Sequence, residues 1–349
     1  MSDLATEQQV SLFYRYLLGR DPDEHALASF TNKHSEAHVL SNILGSLEYR
    51  IKNQRDIGSN YYQYNSLVDA IGIVLAHEDK NRKSIKDRLV NYLGVIIDPA
   101  YLPSILNGRQ GQVEDIPIPA NWHADLAEFA AALRAVDLSK NTFRMVELGC
   151  GWGCWLLNTG VAARRRGLQV QLIGAEGDAG HVAFAQQGCI ENGFTGDNSQ
   201  IYRRIVGPSP GLALFPKQET SGEKWGLEAV FNPTDEQVKH ARDGNSYDIV
   251  PIITFDDLSP NGNTIDLLHM DIQGVEADFI ESCIQDMNRL VAYLVVGTHS
   301  RVIEGKIFSI MLLHGWILEI ERPALINLST GIPVTTVDGI QGWRNPKIR

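Results

Sequence analysis

The chain has 349 residues, of which 44% are apolar and 21% charged, with a formal net charge of −11. That is enough apolar material for more than one folded domain, and too much for a disordered chain. The negative balance argues against affinity built on many phosphate contacts, and no apolar run is long enough to span a bilayer.

Residues 1–57 read as short helices on the apolar spacing of Val10, Leu12, Phe13, Leu17 and Leu18. Asp21-Pro22-Asp23 marks a helix boundary and restart. Leu17-Leu18-Gly19-Arg20-Asp21-Pro22-Asp23, followed by Ser46-Leu47-Glu48-Tyr49-Arg50, resembles a small helical accessory module of surface-associated and glycan-modifying proteins. The resemblance implies an interaction or packing unit, one that could carry a protein partner. On the residues alone, Arg20 and Asp21 read equally well as helix-end caps and pairs.

Residues 58–141 read as a helical lead-in and linker. Leu67–Ala76 and Ile85–Leu93 have helical spacing, Ile116-Pro117-Ile118-Pro119-Ala120 reads as extended, and Ala124–Val136 is a strong helix pattern. Trp122 and His123 could face a pocket from that lead-in helix, or be a core Trp beside an exposed His.

From residue 142 strands and helices alternate. Strands are expected at 143–148, 170–175, near 200–206, at 265–271 and at 291–296. Helices are expected at 154–166, 181–191, 275–290 and 303–314, with an irregular stretch at 207–246 and an extended segment at 248–255. The segments 316–321 and 332–337 would form a closing β pair. The order predicts an α/β fold over 142–349: a doubly wound, mostly parallel, seven-stranded Rossmann-like sheet, preceded by a small all-α N-terminal domain.

Glu147-Leu148-Gly149-Cys150-Gly151-Trp152-Gly153 joins the first strand to its helix, where an open α/β sheet binds a nucleotide-like ligand. The third position of the dinucleotide fingerprint is Cys154 rather than glycine, and Glu147 would oppose a pyrophosphate. Both points disfavour a nicotinamide oxidoreductase. They suit S-adenosyl-L-methionine (SAM), whose methionine end carries an ammonium and a sulfonium. Glu147, Gly149, Cys150, Gly151 and Gly153 are the expected cofactor-binding residues of the turn. Glu176, ending the second strand, is expected to accept the ribose hydroxyls, with Asp178 as the cap of the next helix.

Two further blocks follow. One is Phe255-Asp256-Asp257-Leu258 with Asp271-Ile272-Gln273-Gly274-Val275-Glu276, and the other ends in Val296-Gly297-Thr298-His299. In this order, behind the glycine turn, they resemble the FkbM-like SAM-dependent methyltransferases. The SAM-methyltransferase version of the sheet also has a final antiparallel strand. Three positions depart from that pattern: Gln273 stands where Glu is usual, Gly297 where many members have Glu, and His269 where Lys is usual. No metal is therefore expected.

An alcohol acceptor is a poor nucleophile and must lose its proton as the new bond forms. His299 is the candidate catalytic base, with Asp271 to orient it or to bond the acceptor. Trp225, between glycines, and Gln273 are the candidate substrate contacts. Asp257 and Asp266 read as structural. The expected activity is SAM-dependent O-methyl transfer to a hydroxyl of a glycan or other small molecule. A nucleic-acid amino-methyltransferase is one alternative. The Asn/Asp-Pro-Pro-(Tyr/Phe) motif it needs is missing, since the fourth strand ends in His269-Met270-Asp271-Ile272. A non-catalytic scaffold keeping the fold is the other alternative. Four cysteines without zinc-ligand spacing, and a polar start without a signal segment, point to the cytoplasm.

Overall fold

The structure is a computed structural model that describes residues 4–46, 48–49, 63–221, 224–244, 246–259, 261–329 and 331–349. The chain divides into two compact units, Met1–Gln63 and Tyr64–Arg349. The boundary expected between 57 and 58, and Leu47 and Arg50 of the motif above, lie outside the described residues.

In the first unit, helices α1 (Glu7–Phe13), α2 (Glu24–Phe30) and α3 (Glu36–Gly45) each begin on a side-chain cap, from Thr6, Asp23 and Ser35. Each cap accepts a backbone N–H that the helix itself leaves unpaired. Val10, Tyr14, Leu18, Ala26, Val39 and Ile43 form the core. Arg20 holds Glu48 through two hydrogen bonds, at 2.5 and 2.6 Å.

The second unit is built on an eight-stranded sheet. Its strands are β1 (Asn65–Ser66), β2 (Thr142–Leu148), β3 (Gln169–Glu176), β4 (Ser199–Arg203), β9 (Leu267–Met270), β10 (Tyr293–Thr298), β11 (Ile317–Arg322) and β12 (Gly339–Arg344). The strands between, β5 (Ile205–Val206), β6 (Leu212–Pro216), β7 (Val230–Phe231) and β8 (Tyr247–Ile253), form a smaller sheet in the order β5-β8-β6-β7. The large sheet runs β1-β11-β12-β10-β9-β2-β3-β4. Strands β4, β3, β2, β9 and β10 are parallel, and β12 is antiparallel to both β10 and β11.

Its longer helices are α4 (Ala70–Ala76), α5 (Leu126–Leu138), α6 (Cys154–Arg165), α7 (Ala179–Glu191), α8 (Asp235–Gly244), α9 (Glu276–Leu290) and α10 (Arg301–Leu313). Strand residues sort by the two-residue period. Phe143, Met145, Leu172, Leu267 and Val295 join the core of α5 and α6, while Val146, Leu148, Ile173, Leu268, Met270 and Val296 join that of α9 and α10. Each such side chain contributes about 1.5–3 kcal/mol on burial. No helix among the described residues is long and apolar enough to cross a membrane.

Five expectations change. The large sheet has eight strands where seven were expected, because Asn65–Ser66 adds to its edge beside β11, and two residues are too few to show a strand pattern in the sequence. The helical spacing at 85–93 gives way to turns and a short strand, Leu89–Val90, paired with Ile96–Ile97. There Asn91 accepts the backbone N–H groups of Leu93 and Val95, and Gly94 takes a left-handed φ of 83°. That turn chemistry overrides the apolar spacing. The strand expected near 200–206 divides at Arg204, β4 staying in the large sheet and β5 opening the small one. The stretch 207–246 holds β6, β7 and α8. The closing pair is β11 with β12, whereas Val334–Val337 pairs with Leu325–Asn327. Glycines at 339 and 342 mask β12 in the sequence, because glycine weakens a strand pattern.

Candidate functional site

The parallel strands β2, β3, β9 and β10 deliver their C-terminal ends to one edge of the large sheet. At the end of β2 the chain turns through Gly149, Gly151 and Gly153, all left-handed, with φ of 73°, 51° and 82°. Only glycine takes such angles in series without strain. The N–H groups of Gly149 and Cys150 both donate to the carbonyl of Ala175 on β3, at 2.9 and 3.0 Å, pinning the turn. A Cβ on Gly149 would lie 1.9 Å from the carbonyl oxygen of Asp271, so the Asp271 backbone rests directly on the turn.

Two expected cofactor residues face inward. Glu147 is 2% exposed, and its two carboxylate oxygens accept the N–H groups of Trp155 and Leu156, at 3.2 and 2.9 Å. Burial pushes its carboxyl up to about 7, against the pull of His269 and these two N–H groups. Glu147 therefore caps the N-terminus of α6 from behind and offers no open charge to a ligand ammonium. The Cys150 side chain is buried against Gly174, leaving only its backbone at the turn, and burial raises its thiol far above the ordinary range.

Glu176 stands at the end of β3, accepting the N–H of Gly151 at 2.9 Å and that of Asp178 at 2.8 Å. Burial raises its carboxyl, and those two N–H groups partly offset the rise. Asp178 caps α7 through the N–H groups of Gly180 and His181. Trp225 lies across this region. Its ring stacks on His181, with centroids 3.9 Å apart and planes 11° apart, and a Cβ on Gly151 would come within 2.7 Å of it.

Beside the turn stands a charged trio. Asp271 follows β9 and its side chain is 48% exposed, while His299, after β10, is 17% exposed. His299 Nε2 lies 3.1 Å from Asp271 Oδ1, and its Nδ1 lies 3.0 Å from Glu276 Oε1. Burial alone would lower the imidazole, but the two carboxylates outweigh it and raise it to about 10. Burial would raise Asp271, yet its hydrogen bond to His299 and the charges of His299, His269 and His123 hold it below the ordinary range. Gln273 Nε2 donates to Asp271 Oδ1 at 2.9 Å. Asp338, next to β12, feels the charges of all three, and burial raises its carboxyl.

A second polar pair closes the edge from α5. His269 Nε2 lies 3.2 Å from Glu128 Oε1, and the His269 ring stacks on Trp155 with centroids 5.4 Å apart. His123 is exposed, with its ring beside Trp122, Trp152 and Trp155, and Trp122 is half-buried. Asp257 bonds back to the N–H and hydroxyl of Thr254, and Asp266 accepts the N–H of Arg144 and pairs with Arg349, both structural as expected.

The expected Asp271, Gln273 and His299 thus meet at the turn, and Trp225 covers it. Glu276, Glu128, His269 and Asp338 are additional. Glu276 stands within a quoted motif, but its contact with His299 is invisible in the spacing. Among the described residues, Asp271, Glu276 and His299 have donor atoms within 4.8 Å of one another, a set compact enough to hold a cation.

Residues 142–312 match the model of the Methyltransferase FkbM domain. A protein of Jannaschia sp. (strain CCS1), named "Putative methyltransferase", is 44% identical over 258 residues, covering 74% of this chain and 92% of that protein. Among solved structures, methyltransferase FkbM from Methylobacillus flagellatus KT aligns at 11% identity over 61% of this chain and 53% of that chain, with a TM-score of 0.37. Precorrin-6y C5,15-methyltransferase from Geobacter metallireducens GS-15 aligns at 9% identity over 62% and 86%, with a TM-score of 0.34. On the domain match and the 44% identical relative, the chain belongs to the FkbM methyltransferase family.

Proposed function

We propose that the protein is a SAM-dependent O-methyltransferase that acts on a hydroxyl of a glycan or other small-molecule acceptor. The observation that carries this reading is the contact between Gly149 and the Asp271 backbone, which joins the glycine turn and the Asp271–His299 pair at one sheet edge. The left-handed glycines let the Asp271 backbone and the Trp225 ring close on the turn where the Cβ atoms of Gly149 and Gly151 would stand, so both residues border the place read for the methionine end of SAM. The turn from Gly149 to Gly153 and the Glu176 carboxylate would hold the cofactor, whose ribose hydroxyls can take the place of the N–H groups now on Glu176. When bound, SAM supplies a methyl group activated on sulfonium.

The charge states divide the work between the two reactive residues. His299 is an imidazolium at neutral pH, so it cannot begin as the base. Asp271 is ionised and half-exposed, and we read it as the group that hydrogen-bonds the acceptor hydroxyl and takes its proton as the methyl group moves. His299 holds the Asp271 carboxylate in position and balances its charge. Gln273 orients the same carboxylate. The face of the Trp225 ring turned away from the stacked His181 is flat and apolar, suited to a sugar ring. The acidic balance of the chain supports a small-molecule acceptor over a nucleic acid. The four cysteines are all unpaired and buried, which supports a reducing, cytoplasmic setting. The first unit is read as a site for a protein partner.

Titration calorimetry tests the cofactor, with 1:1 SAM binding expected and Glu176→Ala expected to weaken it. No binding at millimolar SAM would overturn the reading. Transfer of a labelled methyl group to a panel of glycans and small alcohols tests the reaction. Asp271→Asn is expected to lower kcat by at least about 100-fold with SAM affinity kept.

A further inference from the structure

We propose that Glu276 is a positioning residue for the reactive pair: from inside the fold it fixes the His299 ring so that Nε2 faces Asp271 in the crevice. The inference rests on the reading of Asp271 and His299 as that pair.

Glu276 opens α9 and is 0% exposed. Its carboxylate accepts the N–H of Ile272 at 3.0 Å and the N–H of Gly274 at 3.1 Å to each oxygen, so the backbone holds it in one orientation. Its Oε1 lies 3.0 Å from His299 Nδ1, at ion-pair distance, and that buried nitrogen makes no aligned hydrogen bond among the described residues, so the Glu276 carboxylate is the charge it faces. An imidazole ring has two nitrogens on opposite sides, so a fixed partner on Nδ1 dictates what Nε2 faces.

Capping the turn does not explain a carboxylate here. The amide oxygen of a glutamine would accept the same backbone N–H groups, without the desolvation of a buried charge. The charge is matched instead by the imidazolium. The turn is also strained in the direction this arrangement needs. Gln273 is a non-glycine residue at a φ of 58°, and Gly274 follows at 106°. That backbone sends the Gln273 amide back to Asp271 while wrapping the Ile272 and Gly274 N–H groups around Glu276. One six-residue segment, 271–276, thus holds both members of the pair.

Two measurements decide the proposal. In the first, Glu276→Gln is expected to lower kcat about 100-fold, with SAM affinity and acceptor KM changed less than about twofold. In a His299→Gln background the same substitution is expected to add no further loss, because Glu276 acts only through the ring. A loss of equal size in both backgrounds overturns the proposal, since a merely structural carboxylate would give it. In the second, nitrogen-15 spectra of histidine-labelled full-length protein, without cofactor or acceptor, are expected to find a proton on His299 Nδ1. A bare Nδ1 overturns the proposal even if Glu276→Gln fails to fold. The two readings also fail separately. A protonated Nδ1 in a protein that binds no SAM leaves the positioning standing and removes the methyltransferase reading. A bare Nδ1 in an active enzyme does the reverse.

Discussion

At the residue scale the site is governed by how three ionisable groups share one proton. His299 is raised to about 10 because Asp271 and Glu276 face its two nitrogens. A histidine in the unfolded chain titrates near 6.5. Between those values the folded protein keeps a proton that the unfolded chain has lost, so this contribution to stability is complete below about 6.5 and lost as pH rises through about 10. Thermal melts across this window are therefore expected to fall more steeply for the wild type than for His299→Gln. Parallel curves would mean that His299 is not protonated in the native state. Because the imidazolium already balances the carboxylates, a chelator is expected to leave methyl transfer unchanged. Activity lost in EDTA and restored by Mg²⁺ or Mn²⁺ would assign Asp271, Glu276 and His299 to a cation instead.

At the element scale the glycine turn works as a contact surface as much as a cofactor cradle. Gly149→Ala would drive a Cβ to 1.9 Å from the Asp271 carbonyl at a φ of 73°, a backbone strain of about 1–3 kcal/mol. The variant is expected to melt several degrees lower and to bind SAM at least about tenfold more weakly, as read by calorimetry. Unchanged values would mean that the turn and the Asp271 segment move independently. The turn was legible in the sequence because left-handed positions demand glycine locally, and Asp271 and His299 because each follows an apolar strand. The partners were not. Glu128 lies 141 positions from His269, and no periodicity links them. Glu147 misled for a related reason: a carboxylate at a strand end looks the same in sequence whether it faces a ligand or the N–H groups of α6. Trp225 is a contact of the same long-range kind, since it covers Gly151 from a segment far along the chain. SAM binding is expected to change the wild-type tryptophan emission, and Trp225→Ala to lose most of that change. An equal change in both proteins would detach Trp225 from the site.

At the scale of the whole molecule, the folding unit is larger than the stretch that matches the family. The match spans 142–312, but the sheet needs residues on both sides of it. On the C-terminal side β12 lies between β10 and β11, so neither β11 nor β12 can be spared. On the N-terminal side α5 covers one face with Leu126, Phe129, Leu133 and Val136, all fully buried. From the same region Asp125 pairs with Arg322, Arg134 pairs with Glu319 at 3.0 Å, and Glu128 meets His269. Strand β1 pairs Asn65 and Ser66 with Glu321 and Ile320. A chain starting at 142 would expose the α5 face of the core and leave Arg322 and Glu319 each without one charged partner. Losing even these four large side chains removes about 6–12 kcal/mol, as much as the whole stability of a typical domain. That fragment is expected to lack a cooperative thermal transition and near-ultraviolet circular dichroism. A chain starting at Tyr64 keeps every one of these contacts, because residues 64–349 form a compact unit by themselves. It is expected to melt cooperatively and to bind SAM with the affinity of the full chain, within about twofold. Failure of the longer fragment to fold would make the first unit part of the enzyme's core, and cooperative folding of the shorter one would reduce α5 to a removable cover.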